Sequence, residues 1–255
     1  MGITPTYRRL SIPSSRTHRI PGIVWCLLIA DALIVLSAIL NEAFSRIVGQ
    51  EPLLFFRLSY ENNLPTWFSS SQHLLVAGLF STLAIREIRT DIRRIGIALP
   101  ALIYLVFSLD ETAMLHERVS DWIDQHTIVG QVLHLTNSAS GMLVCLPLVV
   151  LTVVLAGWNT RRYWKARPGV IFKCLIGTGL ILISAGMLEI LVNTVQNQPT
   201  LVRIESLIEE AGEMFGTTLT LWGAIELLAA ERLSIHFDAM GLHVGTILGD
   251  GENIL

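Results

Sequence analysis

The feature that most constrains this chain is a series of six apolar stretches, each close to the length that a helix needs to cross a bilayer. About 20 mostly apolar residues cover the roughly 30 Å hydrocarbon core of a membrane. The predicted spans are Gly22–Leu40, Trp67–Ala84, Ile95–Leu109, Asn137–Trp158, Val170–Val192 and Ile204–Ala230. None of them alternates every second residue as a barrel strand does. The sequence therefore predicts an all-α polytopic membrane protein, a six-transmembrane-helix bundle.

Charge is scarce in this chain, which excludes several soluble classes. Only 15% of the residues are charged and 52% are hydrophobic, whereas soluble domains carry about 25% charged residues. The 18 basic residues are balanced by 21 acidic ones, so no basic patch for nucleic acid is expected. The partners that remain are membrane lipids and, if the protein is part of a complex, other membrane subunits.

The basic residues predict the orientation of the bundle. Fourteen of the 18 lie before the first span or after the second, fourth and sixth spans. The positive-inside rule makes that side cytoplasmic, with both termini inside, as in a bacterial inner-membrane protein. Residues 1–21 are then a cytoplasmic tail, 22–232 the transmembrane domain, and 233–255 a second cytoplasmic tail, which we expect to be loosely ordered.

Acidic residues and histidines gather at the opposite, periplasmic side, and several lie deeper than a loop would. At 1.5 Å per residue, Asp110 is roughly 22 Å along the third span, Glu189 is roughly 28 Å along the fifth, and His73 is roughly 9 Å below the outer surface. Carboxylates at such depth need a cation, a shared proton or water. Their convergence with histidines predicts a site at the outer end of the bundle.

Carboxylate and imidazole ligands together favour a divalent metal ion, with iron, manganese or zinc as candidates. The predicted ligands are Asp110, Glu117, Glu189, Glu209, Glu213, His73 and His134. Glu210 and His116 are the predicted catalytic acid or base. In an enzyme, the metal would activate water or dioxygen against a lipid-like or small substrate.

Helical geometry refines where these side chains point. The pattern of the third span continues beyond Leu109, which predicts one uninterrupted helix as far as Ile123. At 100° per residue, such a helix turns Asp110 and Glu117 inward, Glu111 to a third face and His116 toward a neighbouring helix or the outer surface. On the last helix, Gly212 and Gly216 predict a close helix–helix approach beside Glu213.

Other readings of the acidic side remain open. It fits a cation- or proton-coupled transport subunit, a non-catalytic structural subunit, or a hydrated vestibule with no specific role. Transport needs a polar route across the bundle, for which only Asp31 and a few Ser and Thr residues are available. We expect Asp31 to hydrogen-bond a neighbouring helix, and Glu226 to pair with Lys173 or Arg232.

Three segments, LDETAMLHE (109–117), IEEAGEMFG (208–216) and NNLPTWFSS (62–70), carry a resemblance to known sequences. Over roughly residues 60 to 230, the chain resembles a group of bacterial multi-pass inner-membrane proteins of uncharacterised activity, which share LDE…HE and EE..E segments at helix ends. The resemblance implies a shared motif made of Asp110, Glu111, His116, Glu117, Glu209, Glu210 and Glu213. The alkaline-ceramidase-like zinc hydrolases differ, because they have seven spans and an H-x-x-x-H in the last one.

Overall fold

The fold is that of a computed structural model, which describes residues 20–56, 63–127, 139–188, 197–231, 233–238, 241–247 and 253–254. Within these residues the helices are α1 (Gly22–Val48), α2 (Leu64–Thr90), α3 (Leu99–Ala113), α4 (Leu115–His126), α5 (Ala139–Ala166), α6 (Pro168–Ile181) and α7 (Pro199–Ala230). Short 3₁₀ segments lie at Leu54–Phe56 and Ile92–Ala98, and the π-helical segment Leu182–Leu188 continues α6. The all-α prediction is confirmed for the bundle.

Five helical stretches in the described residues are long and apolar enough to cross a membrane. They are Gly22–Val48, Leu64–Thr90, Ile92–Ala113, Leu143–Ala166 and Pro168–Gly186. Their outer faces carry large exposed apolar side chains, such as Leu33 on α1 and Leu148 on α5. These are the features of a membrane protein. The last helix, α7, has 32 residues but carries acidic side chains along its first half.

The helices give the bundle two chemically different ends. The acidic end is where α2 begins and α3 ends, and the basic end is where α2 ends and α3 begins. At the acidic end, the Asn63 side chain caps α2 by accepting a hydrogen bond from the Thr66 amide (2.9 Å), with Pro65 in the first turn. Both features are typical helix N-terminal signals.

The apolar core of the bundle is formed by side chains of α1, α2, α3, α5, α6 and α7, and a buried polar group links α1 to α2 and α7. The Asp31 carboxylate is fully buried and accepts hydrogen bonds from Gln72 Nε2 (2.7 Å) and Thr218 Oγ1 (2.8 Å). The expectation that Asp31 bonds a neighbouring helix is confirmed, and it bonds two. A buried carboxylate with two donors fixes the register of three helices, because an unpaired one would be costly.

Small residues allow α6 and α7 to approach closely, which sets the position of Glu213. A Cβ at Gly216 would lie 2.7 Å from the Gly177 carbonyl oxygen, and one at Gly212 would lie 1.9 Å from Ser184 Oγ. Neither position therefore accepts a side chain without a shift of the helices. The predicted role of Gly212 and Gly216 is confirmed.

The prediction of one helix through Asp110 to Ile123 is wrong. Met114 has φ 52° and ψ 49°, which ends α3 at Ala113 and lets α4 start at Leu115. This left-handed conformation is uncommon for a residue other than glycine. The angles calculated for a continuous helix do not apply beyond the break. The expected common inward orientation of Asp110 and Glu117 therefore does not follow.

The C-terminal segment also differs from the expectation of a loosely ordered tail. Strands β1 (Leu233–Asp238) and β2 (Gly241–Ile247) pair antiparallel, with Leu233 opposite Thr246, and β3 (Asn253–Ile254) pairs with β2. The alternation of apolar and polar residues in LSIHFD is the strand signal that identifies this hairpin.

Candidate functional site

Side chains from α2, α3, α4 and α7 converge at the acidic end of the bundle. We call this group the carboxylate–histidine cluster, and it consists of His73, Asp110, Glu111, His116 and Glu213. All five line one cavity. Four of them were predicted as ligand or acid/base residues, and the fifth, Glu111, was not.

Glu111 and Glu213 form the centre of the cluster. Their side chains are hydrogen-bonded to each other, and Glu111 also accepts a hydrogen bond from Ser69 Oγ (3.0 Å). A hydrogen bond between two carboxyl groups requires a proton on one of them. Within the described part of the chain, neither carboxyl group has a Lys or Arg within 4.0 Å. The pair is therefore held by a shared proton and a hydroxyl, not by a basic side chain.

His73 lies beside this pair. Among the described residues, one of its ring nitrogens has a hydrogen-bond partner and the other has none. Its Nε2 is 2.8 Å from Thr217 Oγ1, and the Thr217 hydroxyl donates to the Glu213 carbonyl oxygen (2.7 Å). In the neutral ring, Nε2–H is then the donor to Thr217, so Nδ1 keeps its lone pair. Nδ1 is buried, has no hydrogen-bond partner and lies 4.0 Å from Glu111 Oε1.

Aromatic rings fix the orientation of the His73 imidazole. Its centroid lies 5.9 Å from that of Tyr104 and 5.6 Å from that of Phe107. The ring is 1% exposed, so the bare nitrogen cannot be hydrated from outside the cavity. A buried lone pair without a donor is costly, so a proton donor or a cation at Nδ1 would be stabilised.

Asp110 and His116 make a second pair across the break at Met114. The Asp110 carboxylate accepts a hydrogen bond from the His116 amide (2.9 Å) and lies 2.9 Å from His116 Nδ1. Asp110 therefore caps the start of α4 and orients the imidazole. On one continuous helix His116 would point away from Asp110, but the break at Met114 places the two side chains in contact across two helices.

The cavity beside the cluster has a volume of about 320 Å³. Its polar residues lie at one end, and its walls are apolar side chains of α3, α4, α5 and the π-helical segment, among them Phe107, Val119 and Leu182. Most ligand pockets combine apolar walls with a few convergent polar groups in this way.

The other predicted site residues on described helices do not line this cavity. Glu209 and Glu210 are half-buried on α7, one turn before Glu213, and Glu117 is half-buried on α4. None of the three lines the cavity. Glu189 and His134 lie outside the described residues. Among the residues that are described, no three His, Cys, Asp or Glu side chains are already placed to hold a metal ion.

Glu111 was missed because the continuous helix assigned it to a separate face. A signal for its position does exist in the sequence. Tyr104, Ser108 and Glu111 are spaced four and three residues apart, so they share one stripe of α3. The first two are buried in the bundle, and Glu111 extends their stripe to the acidic end.

Comparison with protein families identifies the family of this chain. Residues 23–227 match the family described as a domain of unknown function, DUF8692, and the chain belongs to that family. No curated protein and no solved structure matches the chain.

Proposed function

We propose that this member of the DUF8692 family is an integral membrane protein that binds a divalent metal ion at the carboxylate–histidine cluster. The observation that carries the proposal is the bare Nδ1 of His73, 4.0 Å from a hydrogen-bonded pair of carboxyl groups. One imidazole lone pair and two carboxylates are a donor set that suits iron, manganese or zinc.

The surroundings of His73 support this role. Metal-ligating histidines almost always donate their second ring nitrogen to a fixed acceptor, which orients the ring. Thr217 provides that acceptor here. A cation between Glu111 and Glu213 would replace their shared proton, and side-chain rotations of these two residues would bring them toward Nδ1. The predicted ligands Asp110, Glu117, Glu209, Glu189 and His134 remain candidates for completing the shell.

The reaction that this site would support follows from the metal and from the side chains beside it. A bound metal would activate water or dioxygen, and a substrate would be lipid-like or small. His116, held by Asp110 at 2.9 Å, is well placed for the role of acid or base. Glu210 keeps its predicted role as the alternative acid or base on α7.

We further propose six spans, with both termini cytoplasmic and the cluster facing the periplasm of a bacterial inner membrane. The basic residues of the segments between α2 and α3 and between α5 and α6, such as Arg93 and Arg167, support this orientation. A reporter enzyme that is active only in the cytoplasm should be active when it is fused after Leu255. A periplasmic reading would reverse the sidedness of the site.

Elemental analysis of the protein purified in mild detergent tests the metal site. Wild type should carry stoichiometric metal, and Glu213→Gln and Glu111→Gln should lose it, because each variant replaces an anionic ligand by a neutral amide of the same shape. Asp121→Asn is the matched control, since Asp121 is an exposed acid of α4 at the same end. Wild type without metal, or variants that keep it, would overturn the proposal.

A second candidate function, proton- or cation-coupled transport, is favoured by the buried polar groups below the cluster. Gln72 and Thr218 hold Asp31, and Tyr104 Oη lies 2.8 Å from both Thr178 Oγ1 and Thr220 Oγ1. These groups continue toward the basic end of the bundle. Cation or proton flux into proteoliposomes that disappears in Asp31→Asn would favour transport over a metal-dependent enzyme.

A further inference from the structure

Two cavities lie in series along the same helices. The first is the cavity of about 320 Å³ beside the carboxylate–histidine cluster. The second, of about 160 Å³, lies nearer the basic end, between α2, α3, α5, α6 and α7. Leu182 lines both of them. On α5, their walls are one helical turn apart, at Val149 and Val153.

The walls of both cavities are apolar over most of their area. In the second cavity the polar groups are hydroxyls such as Tyr104 and Thr178, which already bond each other at 2.8 Å. A polar substrate would find no free partner among these two hydroxyls. Among the described residues that line the two cavities, the ionisable carboxyl and imidazole groups are those of the carboxylate–histidine cluster, at the acidic end of the first cavity.

The first cavity also reaches the lipid-facing surface of the bundle. Leu148 on α5 and Val106 on α3 line it, and both are exposed on the outside, by 61% and 40%. A ligand dissolved in the hydrocarbon of the membrane therefore meets this cavity between α3 and α5 without crossing the aqueous phase.

The length of the combined space suits one hydrocarbon chain. Along α3 the lining runs from Pro100 to Glu111, a rise of about 16 Å at 1.5 Å per residue. One leaflet of the hydrocarbon core is about 15 Å thick, which is the depth that a lipid acyl chain covers. The first cavity alone is at the lower end of the ~300–1,000 Å³ range of ligand pockets.

We propose that the two cavities bind one acyl chain of a membrane lipid, with the polar group of that lipid at the carboxylate–histidine cluster. The chain lies between α3, α5 and α6 and passes Leu182 into the second cavity. This inference rests on the proposed function in one respect, since it gives the metal site a monoacyl lipid as its substrate class. The acyl-chain site itself is built of apolar side chains and stands without the metal.

Photolabelling of the full chain in lipid nanodiscs tests the proposal. The probe is a lysophosphatidylcholine with a diazirine near the end of its acyl chain, and the labelled residues are mapped by mass spectrometry. The label is expected on buried residues that line the second cavity, such as Ile103 and Leu227. A label confined to exposed outer faces such as Leu33 of α1 would overturn the proposal.

One glycine of the second cavity allows a blocking variant with a matched control. A Cβ at Gly179 meets nothing within 4 Å, so Gly179→Leu extends a side chain into the cavity without a backbone clash. Gly78 is exposed on α2, and its Cβ also meets nothing within 4 Å. Labelling of the second cavity should fall at least fivefold in Gly179→Leu and stay at the wild-type level in Gly78→Leu. Equal labelling in both variants would overturn the proposal.

The same experiment separates this inference from the proposed function. Labelling is repeated on chelator-treated protein, and the metal content of every sample is measured. Labelling of the second cavity in a protein that never carries metal would contradict the proposed metal site and support the acyl-chain site. Stoichiometric metal without labelling of the second cavity would contradict the acyl-chain site alone.

Discussion

The acids inside the two ends of the bundle have different kinds of partner. At the basic end, Glu87 is 5% exposed and accepts hydrogen bonds from Arg94 (2.7 Å), Arg162 and Tyr163 (3.2 Å). At the acidic end, Glu111 and Glu213 bond each other and, within the described residues, have no basic partner. Glu87 is thus neutralised by basic residues of the fold itself, whereas the pair of Glu111 and Glu213 is the place where we propose that a cation binds.

Other acids of the basic end follow the same rule. Lys173 Nζ lies 2.7 Å from Glu226 Oε2, and Arg86 Nη1 lies 2.9 Å from Glu231 Oε2. The expected pairing of Glu226 with Lys173 is confirmed. Basic residues at the acidic end are also engaged, since Arg46 and Arg203 both bond Glu42, which joins α1 to α7. Neither reaches the carboxylate–histidine cluster.

The largest expected effect is at the basic end. Glu87→Gln places a neutral amide at the buried end of two ion pairs, whose guanidinium groups are 43% and 38% exposed. Each hydrogen bond to a charged group that is lost costs about 1.5–3 kcal/mol before screening by solvent. Glu231→Gln is the control, because its pair with Arg86 is partly exposed and such pairs contribute about 0–1 kcal/mol. Thermal unfolding in detergent should show a large loss for the first variant and almost none for the second. Equal losses would contradict the comparison.

The next effect concerns the orientation of His73. Thr217→Val removes the hydroxyl that fixes the imidazole, and loss of such an outer partner weakens metal binding by about 10- to 100-fold. Thr217→Ser keeps the hydroxyl and should restore the affinity. Metal titration of the stripped protein measures both variants. An unchanged affinity in Thr217→Val would remove His73 from the ligand set.

The break between α3 and α4 predicts an effect of intermediate size. Met114→Val places a β-branched residue at φ 52°, where it is strained by about 1–3 kcal/mol. Met114→Asn should be tolerated, since Asn adopts left-handed conformations more readily. Thermal unfolding compares the two variants. If they behave alike, the left-handed turn does not control how Asp110 and His116 meet.

The smallest expected effect is on stability at the acidic end. Glu213→Gln keeps a hydrogen bond to Glu111, since the amide replaces the carboxyl donor, so stability should change by no more than about 1 kcal/mol. This variant is nevertheless expected to abolish metal binding. A loss of stability as large as that of Glu87→Gln would show that Glu213 is a structural residue and that the two ends are alike.

Much of the fold is predictable from local sequence. Hydropathy over about 20 residues marks the helices. In a membrane, the backbone N–H and C=O groups of such a segment must hydrogen-bond within the segment itself, whichever helices pack beside it. The spacing of Gly212 and Gly216 gives the close approach on α7, and the depth of Asp31 implies a partner on another helix. The C-terminal hairpin was missed although its period-two pattern is visible in the sequence.

The composition of the site is less predictable than the presence of a site. The concentration of acids and histidines at one end follows from the sequence, and so do His73, Asp110 and Glu213 as candidates. Glu111 could have been placed from the stripe of α3 that it shares with Tyr104 and Ser108, whereas the return of His116 to Asp110 depends on the turn at Met114. No glycine, asparagine or proline marks that turn in LDETAMLHE, so the local pattern predicts a continuous helix.

The sequence by itself determined the apolar helices, the two ends of opposite charge and the depth at which ionisable groups occur. These properties depend on each residue and its near neighbours. The tertiary structure decided which buried acids have basic partners and which have only each other. That distinction is long-range, because Glu87 and Arg162 are 75 positions apart, and Glu111 and Glu213 are 102 apart. Only helix packing brings such residues within hydrogen-bond distance.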